Sequence, residues 1–483
     1  MKPQNNIKSF TLVELLIVIA ILAVLAAAVV IVLNPAELLA QARDGQRSSD
    51  MKTVSDALSL FVIDNPSASL GATQKVYISI PDTSATCTNI AGLPALPAGW
   101  TYNCVTSASL KNIDSTGWIP LNLSSINGGS PIPHLPTDPQ NTIRSFYSYV
   151  AGANANYAVS ANIESVRQKQ SNQSGIFTTK FSGGNTPQLA GISQGGDWVN
   201  VPGNSAYGTS DFQVMKYEAK CADASGNALF TPTYSSYEIY QDPTTPCSNA
   251  NNRYVSSRKD GYVIANVTRN NAKAYCASIG AHLITNEEWM TIARDTERVS
   301  SNWFGGVVGS GYLYRGHSDN SPAKALQASA DADPYYETGN TPGNQKRVLT
   351  LSNGENIWDF AGNLREHVQR TLADSLVIVD LPTCSDGLAA WGWCQYGNVT
   401  APYVSGWTAD VAQNYIGPSN ATTYDSNMGM GQVYTYKSGT DQGTTVFNRG
   451  GHWSDSTYSG IYALRLDYTN SATYHNLGFR CAR

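Results

Sequence analysis

The most uneven distribution of polar and apolar residues lies at the start of the chain. Residues 1–9 are polar and carry Lys2 and Lys8. From Phe10 to Leu33 the side chains are apolar save for Glu14 and the hydroxyl of Thr11. A helix over this run, rising roughly 1.5 Å per residue, is long enough to span a bilayer core. The basic leader would stay in the cytoplasm and the remainder would face outward. Asn34-Pro35 interrupts the run. Leu38, Leu39, Ala42, Met51, Val54, Leu58 and Phe61 then recur near helical spacing, which extends the N-terminal helix over residues 10–65.

Residues 66–165 read as a small α+β head. Residues 117–141 are dense in Pro, Gly and Asn and read as loop, His134 included. Residues 144–165 read as two alternating strands across a turn. Residues 166–196 are polar and rich in Gly, Ser and Gln, a linker composition. A larger unit occupies 197–483. In it, Phe212, Val214 and Tyr217 mark a strand. A first helix carries Ala272, Tyr275, Cys276 and Ile279 and stops at Gly280. A second opens at Thr285 with Glu288 three residues on, a capping box, and buries Trp289, Ile292 and Ala293.

Glu14 is the first chemical puzzle. A lone carboxylate inside an apolar helix costs roughly 2.5–3.5 kcal/mol on insertion scales. Cutting the chain after Ser9 would supply a partner, the new α-amino group of Phe10. The Glu14 of one copy can then neutralise the Phe10 ammonium of its neighbour when such helices bundle. Lys8, Phe10, Thr11, Leu12, Glu14, Leu15 and Leu16 together resemble the class III signal of type IV pilins and pseudopilins. The resemblance implies cleavage between Ser9 and Phe10 by a prepilin peptidase and N-methylation of Phe10. It also implies residence in the cytoplasmic membrane before assembly, then display outside the cell. The implied partners are other pilin subunits and the pilus assembly machinery. Ser9 departs from the glycine usual in the family, which leaves processing less firmly implied. Strands 144–165 are also similar to the C-terminal sheet of small pilins.

In the larger unit, MKYEA, the helix pair ending IGAHLITNEEW, ENIWDFAGNLREHV, RGGHW and NLGFRCAR follow one another over residues 198–483. They resemble the formylglycine-generating enzyme and sulfatase-modifying-factor family, which implies a variant of the C-type lectin fold. That family's oxygenase chemistry uses two cysteines, five apart, after the RGG motif, holding copper through soft sulfur. The corresponding places here fall near Asp455 and Gly460, and no cysteine lies between Cys394 and Cys481. The expectation is therefore a non-enzymatic member. The resemblance also implies that Asn363 and Glu366 could help bind calcium, a hard cation suited to oxygen ligands. Asp359 and His367, which could pass for a catalytic pair, are expected to sit in a buried hydrogen-bonded network.

Between the RGG and NLGFRC frames lie His452, Ser454, Asp455, Ser456, Tyr458, Tyr462, Arg465, Asp467, Tyr468 and Tyr474, with Trp453, Ala463, Leu464 and Leu466 as interspersed scaffold. Tyr gives contact area at low entropic cost and Ser adapts its hydrogen bonds, the mixture of an antibody paratope. The ten residues are the candidate ligand-binding set, for a protein or glycan on another cell or surface. The pattern also resembles the variable proteins of diversity-generating retroelements, which implies substitution concentrated between these frames.

Composition narrows the rest. Only 14% of the 483 residues are charged and the net charge is -5, with no basic stripe, so a nucleic-acid partner is not expected. Eight cysteines without a CxxC pair, behind an export segment, point to disulfides. Cys87 and Cys104 bracket a turn-rich stretch. Cys276 with Cys481 would tie the ends of the lectin-like fold, and Cys221–Cys247 and Cys384–Cys394 would close surface loops, although spacing alone leaves the connectivity open. The overall expectation is an α+β adhesin: a membrane and filament helix, a pilin head and a lectin-like domain. The alternative is a pseudopilin of a type II secretion or DNA-uptake system.

Overall fold

The structure is a computed structural model of the chain, and it describes residues 12, 16–21, 35–94, 96, 100–152, 155–171, 180–185, 196–223, 226–230, 232–234, 237–240, 247, 251, 253–338, 343, 345–369, 384, 391–399, 415–420, 423–436 and 446–483. Ser9, Phe10 and Glu14, and with them the cleavage site and the assembly charge, lie outside the described residues. So does most of the apolar run. Among the described residues no helix is long and apolar enough to cross a membrane.

Helix α1 (Pro35–Asp64) begins with its proline in the first turn, where the missing N–H costs nothing. Its Met51, Val54, Ala57, Leu58 and Phe61 repeat every three or four residues and are buried in one core with Tyr147, Tyr149, Tyr157 and Val159. Leu38, Leu39 and Ala42, read from spacing as part of that face, are exposed instead. In this part of the helix the inward face is polar. Arg47 is fully buried and binds Asp44 at 2.9 Å, Asp138 at 2.7 Å and Glu164 at 3.0 Å.

The sheet under α1 is formed by β1 (Lys75–Ile78), β2 (Thr101–Asn103), β3 (Tyr147–Ala151), β4 (Tyr157–Asn162) and β5 (Lys180–Gly183), in the order β2-β1-β3-β4-β5. The strands β3 and β4 are the antiparallel pair expected across a turn. The segment read as linker holds α2 (Val166–Ser171) and the fifth strand of this sheet. Composition misled here because pairing with the open edge of β4 satisfies the backbone of β5 whatever its side chains are. Phe181 also packs onto the α1 core. Gly184 follows at φ +105°, and a Cβ there would lie 2.4 Å from the Tyr157 carbonyl oxygen, so only glycine closes this edge.

The C-terminal unit contains β6 (Trp198–Val201), β7 (Phe212–Met215), β8 (Ala219–Asp223), β9 (Pro232–Tyr234), β10 (Ile239–Tyr240), β11 (Arg253–Ser257), β12 (Val263–Ile264), α3 (Arg269–Ala277), β13 (His282–Leu283), α4 (Asn286–Glu297), β14 (Val348–Thr350), β15 (Asn356–Trp358), β16 (Arg365–Val368), β17 (Trp391–Cys394), β18 (Val433–Tyr436), β19 (Phe447–Arg449), β20 (Leu464–Arg465), β21 (Leu477–Phe479) and β22 (Cys481–Ala482). Its larger sheets run β11-β8-β12-β10-β9, β13-β22-β7-β6 and β17-β18-β20-β19-β16-β21. The helix α4 opens on the Thr285/Glu288 capping box and buries Trp289, Ile292 and Ala293. Four disulfides join Cys87–Cys104, Cys221–Cys247, Cys276–Cys481 and Cys384–Cys394, and no described cysteine is free. The architecture is thus mixed α+β.

The two units are packed together. Ala222 and Tyr254 of the C-terminal unit share a core with Val76, Ile78, Phe146 and Val150 of the N-terminal sheet. Lys169 of α2 binds Glu355 at 2.8 Å, and both side chains are buried.

Candidate functional site

Two buried arginines hold the frame of the site. Arg449 ends β19 and donates to Asn286, to the Ile416 carbonyl at 2.9 Å and to the Tyr462 carbonyl at 3.1 Å. Gly450 and Gly451 follow with φ of +87° and +80°. A Cβ on Gly451 would sit 2.7 Å from the Ser459 Cα, so the turn needs glycine to press the returning chain close. At the other end, Arg480 in the β21–β22 segment binds Glu366 through Nε and Nη2, and Cys481 is tied to α3.

Between these anchors the ten candidate ligand residues separate by burial. Ser454, Ser456, Tyr458 and Tyr474 are exposed, Tyr458 and Tyr474 by 38% and 45%. Arg465 and Asp467 are half-buried, and His452, Asp455, Tyr462 and Tyr468 are buried. Three of these belong to the frame rather than to a contact surface. Tyr462 is fully buried and its hydroxyl donates to Glu297. Asp455 pairs with Arg365 and accepts from the His452 amide at 2.9 Å. His452 accepts at Nδ1 from the Ser454 amide, 3.3 Å away. Burial first, then the charges of Arg365 and Arg465, hold its imidazole neutral, with a pKa of about 2. Its 3.3 Å approach to Asp455 is therefore not an ion pair. The scaffold residues Trp453, Ala463, Leu464 and Leu466 are buried as expected.

Tyr458, Arg465, Asp467, Tyr468 and Tyr474 converge on a ribbon that sequence reading had only half identified, while Ser454 contacts His452 and the Ser456 amide bonds the Ser318 carbonyl. Register places Trp393 of β17 opposite Tyr434 of β18, and Tyr434 opposite Arg465 of β20. The three side chains form a row across neighbouring strands. Tyr458 stacks on Trp393 with centroids 5.0 Å apart and planes 7° from parallel. Tyr434 meets the same indole edge-on at 5.1 Å. The Arg465 guanidinium lies 4.4 Å from the Tyr434 centroid and 4.6 Å from that of Tyr468. Tyr468 in turn stacks on Tyr474 at 4.6 Å. Asp467 fixes the arginine with bonds of 2.6 and 2.7 Å. Burial is the largest single force on the Arg465 pKa and pulls it down, but the Asp467 bond together with the charges of Asp467, Tyr468 and Tyr434 makes the net shift upward. Trp393 and Tyr434 were missed. Their signals were aromatics alternating in β18 and an indole beside Cys394.

A ribbon of aromatic faces around one fixed cation has hydrogen-bonding edges and large apolar faces but no nucleophile. It is equipped to stack and to hydrogen-bond, as interface hot spots do.

The second cluster is buried. Asn363, expected as a calcium ligand, donates to Glu218 and accepts from the Leu326 amide at 2.7 Å. Both carboxylate oxygens of Glu366, the other expected ligand, accept from Arg480. A guanidinium occupies the place a cation would need, so these residues do not fit calcium. Among the described residues no group of His, Cys, Asp and Glu could hold a metal ion. Asp359 pairs with Arg347 at 2.7 Å and His367 bonds the Val267 carbonyl at 2.9 Å, so the two are not a catalytic pair. Burial, and then the charges of Asp359 and Glu366, push the Glu218 carboxyl well up toward its neutral form.

Fold and site together define an α+β protein that presents an aromatic surface from a disulfide-tied frame. The chain belongs to the sulfatase-modifying factor enzyme 1-like domain family, whose model matches residues 206–483. A prokaryotic N-terminal methylation motif matches residues 4–30. Both matches meet the resemblances drawn from the sequence. Among solved structures the chain is similar to the Major Tropism Determinant P3c variant, at 13% identity over 59% of this chain and 48% of that one, with a TM-score of 0.20. It is similar to the I1 variant at 12% identity, over 85% and 72%, with a TM-score of 0.23. It is also similar to Treponema denticola variable protein 1 at 14% identity, over 59% and 98%, with a TM-score of 0.20. The chain spans about half the length of the first of these. No curated protein matches it.

Proposed function

We propose that this protein is a non-enzymatic, type IV pilin-like filament subunit whose C-terminal unit is an adhesin. In this reading the N-terminus is cut between Ser9 and Phe10 and methylated. The apolar helix leaves the membrane for a filament core, and Glu14 neutralises the Phe10 ammonium of a neighbour. The ribbon from Tyr458 to Tyr474 then meets a protein or glycan on another surface.

The ribbon is the observation that carries the reading. Two exposed tyrosines, Tyr458 and Tyr474, pre-stacked on the more buried Trp393 and Tyr468 beside a clamped arginine, bind at low entropic cost. The methylation motif supports the export half. The absence of chemistry is supported at both positions where the family's copper cysteines would fall. Asp455 is buried on Arg365. A Cβ at Gly460 would lie 2.4 Å from the Gly429 carbonyl oxygen, so a cysteine side chain has no room there without backbone movement.

The test replaces Trp393, Tyr458 and Tyr474 by Ser in the full chain. Filaments should still carry the protein by immunogold microscopy, and attachment of cells should fall. Unchanged attachment would sink the adhesin reading, and absence of the parent protein from any surface filament would favour a pseudopilin. Sequencing the 3′ end of the gene from many cells tests diversification separately. Substitutions should cluster between His452 and Tyr474 with the flanking frames fixed.

A further inference from the structure

The two units meet around a cleft of about 500 Å³, within the range of sites for small ligands. The aromatic ribbon takes no part in it. The N-terminal unit contributes Arg144 and Lys180, and the C-terminal unit contributes Arg483. Lys180 is 2% exposed and Arg144 is on the open rim.

Arg483 is positioned by a relay. Lys169 binds Glu355 at 2.8 Å, Glu355 accepts from the Asn200 side chain at 2.7 Å, and Asn200 accepts from Gln213 at 2.9 Å. Gln213 then accepts from Arg483 Nε at 3.0 Å, and the guanidinium lies 4.2 Å from the Trp198 centroid. Among the described residues lining the cleft, Glu164 is the one acidic side chain, and it is already bridged by Arg43 and Arg47.

The cations work against each other. Burial foremost, with the Arg144 charge adding to it, lowers the Arg483 pKa to about 10. Burial also lowers Lys180 to about 7, with Asp197 pulling up and Arg483 pushing down. Docking brings Lys180 into the field of Asp197 as well as of Arg483, with the Asp197 attraction the larger, and it sets Arg144 against Arg483, a like-charge pair whose repulsion a bound anion would relieve. Around these charges the wall is polar. Asn162, Gln140, Gln213 and Ser145 supply neutral donors and acceptors.

We propose that this cleft is a second binding site, for a sugar residue that carries a carboxylate. Guanidinium forks suit the planar carboxylate, the neutral amides suit ring hydroxyls, and the volume suits one sugar ring. The site needs both units, so it exists only in the docked chain.

The test is calorimetric titration of the full chain in detergent micelles with glucuronate, glucose and inorganic sulfate. Glucuronate should bind, and glucose and sulfate should each bind more weakly by about tenfold or more. Arg144→Gln, at an exposed position, should weaken glucuronate by about tenfold with its thermal unfolding unchanged, and Lys180→Met should do the same to the affinity. Tyr458→Ala should leave it unaltered. Equal binding of glucose, equal binding of sulfate, no glucuronate binding, or an Arg144→Gln variant that binds like the parent would each overturn the proposal.

Discussion

Two arginines in the C-terminal unit show what burial does to the same side chain. Arg480 is fully buried, and its guanidinium is used up on Glu366 and on the carbonyls of Met215, Trp358 and Asp359. Arg465 is half-buried, clamped by Asp467, and its guanidinium lies against the rings of Tyr434 and Tyr468. Both sit among aromatic and acidic neighbours, but only Arg465 was a candidate ligand residue in the sequence, while Arg480 lies in the NLGFRCAR frame. The first stabilises a frame and the second offers a surface. The difference lies in where the remaining hydrogen-bonding capacity points.

That contrast can be broken most forcefully at the frame. Cys276→Ser with Cys481→Ser opens a bond across a separation of 205 residues, and urea denaturation should show a loss of about 5 kcal/mol on the loop-entropy account. Arg480→Leu strands Glu366 and should cost about 3–5 kcal/mol in the same assay. A loss below about 1 kcal/mol would mean that the buried pair is not the anchor described here. Acid should act next. Burial is the main force holding His317 and His367 at about 4 and His452 at about 2, all below the unfolded value of about 6.5. The unfolded chain then takes up protons that the native chain refuses. The histidine contribution to stability should be intact above about pH 6.5 and be lost as the pH drops toward 4, read as a decline in the urea midpoint over that window. A flat midpoint over that window would place these imidazoles in water. The smallest effect belongs to the ribbon. Tyr474→Ser and Tyr458→Ser, at exposed positions, should change stability by no more than about 1 kcal/mol and leave the pH profile as it was.

Much of the frame was readable because its signals are local. Thr285 and Glu288 form their capping box within one turn, and β3 and β4 pair as chain neighbours, although they are buried on both faces rather than on alternate residues. The candidate strip was readable in outline, since Leu464 and Leu466 point inward and Arg465 and Asp467 outward with period two. Tyr462 shares the inward parity of Leu464 and Leu466 and was misread as a ligand residue because its partner, Glu297 of α4, lies far away in the chain. Asn363 and Glu366 were misread for the same reason, since Glu218 and Arg480 lie far away in the chain. Trp393 joined the ribbon through strand register, which composition does not encode. The strand β5 was hidden in a polar segment because an edge strand can form from backbone bonds with few apolar side chains.

The docking of the two units has a mechanical consequence. Tyr254 and Ala222 are set into the core of the N-terminal sheet, and Lys169 is locked to Glu355. A pull applied at Tyr458 or Tyr474 is thus transmitted to helix α1 as shear across a packed, ion-paired seam. The aromatic surface is carried like the blade of a rigid oar, and its angle to the shaft is set when the chain folds.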